Sequence, residues 1–260
     1  VQRMEGQNLQ SLKKGTSSAE SVTISFYVKS SVAATYTVNI RDEDNDRDNA
    51  KTYTIDSADT WEFKSITFVG DTTGSLGNDN GRSFDLNFWI DAGTNFTSGT
   101  FYNGTWAAGD NTKKVSATTG WLVSTSPTWF ITGVQMEIGE VATPFEHRTF
   151  ADDLAACQRY YVQLLKADST KELVIAGGQS GATNFNAFLP YAMRAAPTIT
   201  WPASSGVRGE GTTVNISSIA GTMDTNNYVH ANATITSGLT ANTASFLYAF
   251  QGATDLDAEL

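Results

Sequence analysis

Apolar and polar residues alternate over stretches of seven to ten positions, and this is the feature that most narrows what the chain can fold into. A period of two is that of a strand with one buried face. Val22, Ile24, Phe26 and Val28 form the first clear run, Tyr36, Val38 and Ile40 the next, and Tyr53 and Ile55 a shorter one. In Trp61, Phe63, Ile66 and Phe68 the apparent inward parity switches near Lys64 and Ser65, which predicts a β-bulge. Phe84, Leu86, Phe88 and Ile90 alternate again, and Val134, Met136 and Ile138 share one parity in the run from Trp129. Polar, turn-rich stretches at 42–49, 70–81 and 93–120 separate these runs. Many short antiparallel strands joined by such turns predict a sandwich or barrel.

The pattern changes near Thr143. Pro144 ends the strand regime, Thr149 can cap a helix with Asp152 three positions on, and Phe150, Leu154, Cys157 and Tyr161 recur at helical spacing. A helix of two to three turns is too short to stand alone in water, so it is expected to pack against a β module. Strands are predicted again at 160–166, 173–176, 184–191, 197–201, 213–219, 228–235 and 244–251. With 260 residues and domains of roughly 100 to 150, two modules are expected: 1–142 and 160–260, joined by a connector at 143–159. The second is richer in Ala, Gly and Ser, and its thin core predicts stabilisation by oligomerisation.

A formal net charge of -10 and a pI near 4.6 argue against nucleic acid as a partner, which requires clustered Lys and Arg. The basic doublets Lys13-Lys14 and Lys113-Lys114 read as solvated loop positions. Cys157 is the only cysteine, so no disulfide framework forms within one chain; it reads as a small residue on the inner face of the helix. No window approaches the roughly 20 apolar residues that span a bilayer, and no signal peptide opens the sequence. Val1 is not a start methionine, and the opening residues read like the middle of a strand, which predicts more chain upstream.

Residues 131–161, ITGVQMEIGEVATPFEHRTFADDLAACQRYY, resemble a junction found in phage tail-fibre and related virion proteins, particularly of marine phages: TGVQ-E-G--ATPFEHR, then a short helix ending in CQRYY. Upstream, QRMEGQNLQSLKKGTSSAESVTISFYVKS and the stretch 77–83 are similar to the carbohydrate-binding-module-like jelly roll that precedes this junction in those proteins. Residues 190–198 resemble their C-terminal module, and the closing DLDAEL resembles a natural C-terminus. The resemblance implies a jelly-roll sandwich, a place on the virion exterior and a fibre or adhesin role. It names no receptor and assigns no binding residue.

Asp42, Asp44, Asp46 and Asp48 alternate through RDEDNDRDN, and such hard oxygen ligands can hold calcium. The spacing fails the EF-hand pattern, with Arg47 at position six and Tyr53 at position twelve; a solvated acidic turn competes, and 77–80 is a weaker alternative. Structural calcium, at Asp42, Asp44 and Asp46, enters only through the resemblance to sugar-binding jelly rolls. Sugar recognition needs flat aromatic faces plus carboxylates and amides. Trp106, Trp121 and Tyr102 sit in the polar loop region and are the candidate stacking residues, with Asp91, Asn95 and Asp110 as polar partners. Trp61, Trp89 and Trp129 lie in strands and read as core.

No acid stands in the apolar setting that raises a general acid's pKa, and no Gly-x-Ser-x-Gly elbow exists around Ser180. Glu146, His147 and Arg148 read as corner residues orienting the helix rather than as a charged site. The expected architecture is therefore all-β: a jelly-roll-like β-sandwich, a short helical connector and a second small β domain. The expected function is non-enzymatic. A homotrimeric virion fibre component binds host surface polysaccharide and other virion proteins; a purely structural adaptor without a glycan site and a tailspike depolymerase are the alternatives.

Overall fold

The computed structural model describes residues 1–165, 172–181, 183–202, 206–209, 212–236, 244–250 and 254–259. Lys166, Gln251 and Leu260, which end expected segments, lie outside them. The chain is all-β with a small helical part, and it divides into two compact units, residues 1–147 and 148–259, so the division falls inside the expected connector.

Unit 1 holds β1 (Gln2–Glu5), β2 (Val22–Ser30), β3 (Thr35–Asp42), β4 (Arg47–Thr54), β5 (Glu62–Phe68), β6 (Arg82–Trp89), β7 (Ala107–Ala108) and β8 (Trp129–Ile138), with a one-turn helix, α1 (Thr94–Thr97), before β7. The strands form a five-stranded sheet, β1-β6-β3-β4-β7, and a three-stranded sheet, β5-β2-β8, with antiparallel pairs throughout. Their apolar parities meet in one core: Ile24, Phe26 and Val28 of β2 and Ile66 and Phe68 of β5 face Tyr36, Val38 and Ile40 of β3 and Phe84 and Leu86 of β6. Phe26 joins the layers, standing edge-on to Tyr53 and Phe88 with centroids 5.1 Å from each. This is the sandwich that the alternation predicts.

The expected bulge in β5 does not form. Its register against β2 is unbroken from Val22↔Phe68 to Val28↔Glu62. Two faces of one regular strand are both apolar: Ile66 and Phe68 point inward, whereas Trp61 and Phe63 point out and are 46% and 50% exposed. Trp61 is thus not core. Trp89 and Trp129 are half-buried; Trp129 packs on the core and Trp89 on Phe96.

The register does shift between β2 and β8, at Ser25/Tyr27, where Gly133 takes φ +58°, a conformation that favours glycine. The junction motif then folds back along β8. Gln135 donates through its side-chain amide to Pro144 O and accepts from Glu146 N at 2.8 Å. Glu137 accepts from Thr143 N at 3.1 Å and from its hydroxyl, and Gly139 N donates to Ser21 O. Phe145 lies edge-on to His147, 5.1 Å away. The residues carrying the resemblance therefore have architectural work.

Unit 2 begins with the helix α2 (Phe150–Gln158), capped as expected: Thr149 Oγ1 accepts from Asp152 N. Then follow β9 (Tyr161–Leu165), β10 (Glu172–Gly181), β11 (Asn184–Ala192), β12 (Thr198–Thr200), β13 (Gly206–Gly209), β14 (Thr212–Met223), β15 (Tyr228–Ile235), β16 (Ala244–Phe250) and β17 (Thr254–Asp257). Six of these close a barrel, β10-β11-β15-β14-β13-β16, and β12-β17-β9 form a separate sheet. The barrel interior mixes Phe185, Leu189, Val229 and Leu247 with Ala187, Ala231, Ala233 and Ala249, because six strands enclose a narrow space. Gly177 makes room for Phe185: a Cβ there would stand 2.4 Å from the ring and 2.3 Å from Asn186 O.

Contrary to expectation, α2 buries none of its residues, and Phe150 is 81% exposed, with Leu154 and Cys157 exposed beside it.

Candidate functional site

The outward face of the five-stranded sheet is polar yet buried: Thr37, Asn39, Asp48 and Asp85 are all shielded from solvent. The segment 91–120 covers it. Gly104 N donates to Ala50 O, Ser116 N to Thr37 Oγ1, and Lys114 Nζ lies 3.6 Å from Asp48, which also accepts from Asn39 Nδ2 and Arg41 Nη1. Lys114 is buried, so the second doublet is not a pair of solvated positions.

This covering role occupies most of the expected sugar-binding residues. Tyr102 is only 6% exposed, and its hydroxyl donates to Ala108 O and accepts from Asp110 N at 2.7 Å. Asp110 caps the turn at 111–113 by accepting from Thr112 N and pairs with Lys113 at 3.2 Å. Asp91 accepts from Ala92 N, Thr119 N, Leu122 N and Thr118 Oγ1. Partial burial alone would raise its pKa, but these four donors hold it down to about 2. Asn95 is exposed on α1. Trp121 is half-buried against the sandwich core.

Trp106 covers a different feature. Its indole packs against Phe84, Nε1 donates to Val69 O at 2.8 Å, and Lys14 Nζ stands 5.5 Å from the ring centroid. The Lys14 side chain, 3% exposed, ends among four oxygens: Asp42 Oδ2 at 2.5 Å, Asp71 Oδ2 at 3.1 Å, Thr73 O at 2.8 Å and Gly74 O at 3.0 Å. Arg47 meets Asp71 from the other side through two bonds of 2.7 and 3.0 Å. The acids expected to share calcium are dispersed instead: Asp42 to Lys14, Asp44 to Gly77 N, Asp46 to Arg41. Among the described residues no three His, Cys, Asp or Glu side chains group to hold a metal. An ammonium inside the chain neutralises the buried carboxylates.

The aromatic surface lies on the opposite sheet. On the outer side of β5-β2-β8, Tyr27 and Phe63 pair directly across strands, with ring centroids 5.1 Å apart. Lys29 pairs with Phe130, and its Nζ stands over two rings, 5.0 Å from the centroid of Phe130 and 5.6 Å from that of Trp61. Two rows result, Trp61-Lys29-Phe130 and Phe63-Tyr27, separated by two residues along β2, about 7 Å. Tyr27 and Phe130 are 46% and 48% exposed. A contiguous patch of this kind marks a binding surface more often than scattered single residues do. The signal was present in the sequence as a strand with aromatic residues on both parities.

No known family model matches the chain, and no curated protein matches it.

Proposed function

We propose that the chain is a structural and adhesive component of a phage virion, a tail or capsid fibre, whose sandwich binds host surface glycans through the outer face of β5-β2-β8. The observation that carries this reading is the joint exposure of Tyr27, Phe63 and Phe130 on three neighbouring strands, with Trp61 immediately before β5, all outside the buried core cluster. Flat rings in rows stack on pyranose rings, and the weak affinity of one shallow site is multiplied by copies on a particle. The junction resemblance supplies the virion setting. No bond-making step is proposed.

Binding to a glycan array of host-type polysaccharides tests it. Trp61→Ala is expected to cost about 2 kcal/mol, roughly a thirtyfold weaker Kd, with no loss of melting temperature, because Trp61 lies outside the core. Absence of binding to every glycan favours the purely structural adaptor, and release of reducing ends favours the depolymerase.

Assembly as a homotrimer belongs to the same proposal. Phe150, Leu154 and Cys157 follow the alternating four-and-three spacing of a coiled-coil seam, and all three are exposed on α2. Covering by two further copies removes that apolar stripe from water. Light scattering is expected to give three chains per particle, and Phe150→Ser with Leu154→Ser to shift it toward the monomer; a wild-type monomer at all concentrations overturns the trimer.

A further inference from the structure

Lys29 differs from the other lysines of unit 1. Lys13, Lys14, Lys64, Lys113 and Lys114 each have a carboxylate within 4.0 Å, and Lys51 Nζ donates to Thr67 O. Among the described residues the ammonium of Lys29 meets only the faces of Trp61 and Phe130. A chain with net charge -10 has acids to spare for every lysine, yet this cation is left unneutralised at the centre of the aromatic face.

Resting on the proposed glycan-binding role of that face, we infer that its ligand is an anionic glycan of the uronic-acid class. The two rings fix the ammonium between two flat stacking surfaces. A hexuronate ring stacked on either one carries its carboxylate at its rim, where Nζ can donate to it in a charge-assisted bond. A neutral sugar keeps the stacking and loses that bond. Lys29 is half-buried on this face, the usual state of a lysine whose stem covers apolar surface while its ammonium keeps access to water and to ligand.

The test uses the full chain with oligogalacturonate and oligoalginate, their methyl esters and a sulfated oligosaccharide as probes, read by isothermal titration calorimetry. The expected result is binding of the uronates, with the methyl esters about tenfold weaker. Lys29→Met should lose the same factor toward uronates, change nothing toward esters, and abolish the weakening by added salt. If uronates and esters bind alike and Lys29→Met is silent, the acidic-sugar inference falls while the aromatic platform stands. Preference for the sulfated probe, or equal competition by polyglutamate, also overturns the uronate assignment. If no glycan binds at all, or if glycans bind and Trp61→Ala has no effect, the platform itself falls.

Discussion

Lys14→Met is expected to lower the melting temperature of unit 1 by roughly 10 °C, the result of losing about 3 to 5 kcal/mol in a domain of this size. The side chain sits among Asp42, Asp71 and two carbonyls, and methionine fills its volume without its charge. Asp71 keeps Arg47, but Asp42 is fully buried and retains only bonds from Asn45. An uncompensated buried carboxylate is the large term; the double variant Lys14→Met with Asp42→Leu removes it and is expected to recover much of the loss.

The acid limb of unfolding should move as well. Burial pushes the Asp71 carboxyl up, yet its bonds to Arg47 and Lys14 outweigh this and hold its pKa below the usual value. A carboxyl depressed on folding stabilises above its unfolded pKa, about 3.9, and that contribution is lost as pH falls through the folded value. Without Lys14 the folded value rises, so the variant should unfold at higher pH than wild type. Differential scanning calorimetry from neutral to acid pH checks both effects; a shift within experimental scatter would show that the cluster contributes nothing.

Asp48→Ala is expected to cost about 3 kcal/mol and to loosen the 91–120 segment from the sheet. Asp48 is completely buried, accepts from Asn39 and Arg41, and faces the buried Lys114 of the segment above. Alanine leaves that ammonium without its carboxylate. Limited trypsin digestion reads the outcome directly, because Lys113 and Lys114 lie in the segment: wild type should resist cleavage there, and the variant should be cut before the sandwich unfolds. Equal resistance would mean that Tyr102, Val115 and the backbone bonds hold the segment unaided.

Strand parity carried most of the fold. The runs around Ile24, Val38, Leu86 and Met136 correspond to strands, and Thr149 marked the start of α2. What sequence could not tell is which face of an apolar strand meets the core. In β5 both faces carry apolar residues, so the alternation predicts a bulge where the strand is regular. Loop chemistry misled for a related reason. The 93–120 stretch has the composition of an exposed turn region, but the outward polar residues Thr37, Asp48 and Asn49 need covering, and this segment covers them with Tyr102 and Val115 buried beneath. Neither the sheet's need nor the segment's docking is visible in local sequence. The lysine doublets show the same limit: in each, the first residue is solvated and the second is held in a buried ion cluster.

Ligand recognition by the β5-β2-β8 face, rather than by the 91–120 segment, is decided most directly by one comparison on a host-polysaccharide array: wild type beside Trp61→Ala and Trp121→Ala. The expected result is loss of glycan binding in Trp61→Ala with its melting temperature intact, and retained binding in folded Trp121→Ala. Retained binding in Trp61→Ala with loss in a folded Trp121→Ala would contradict it and return the site to the loop.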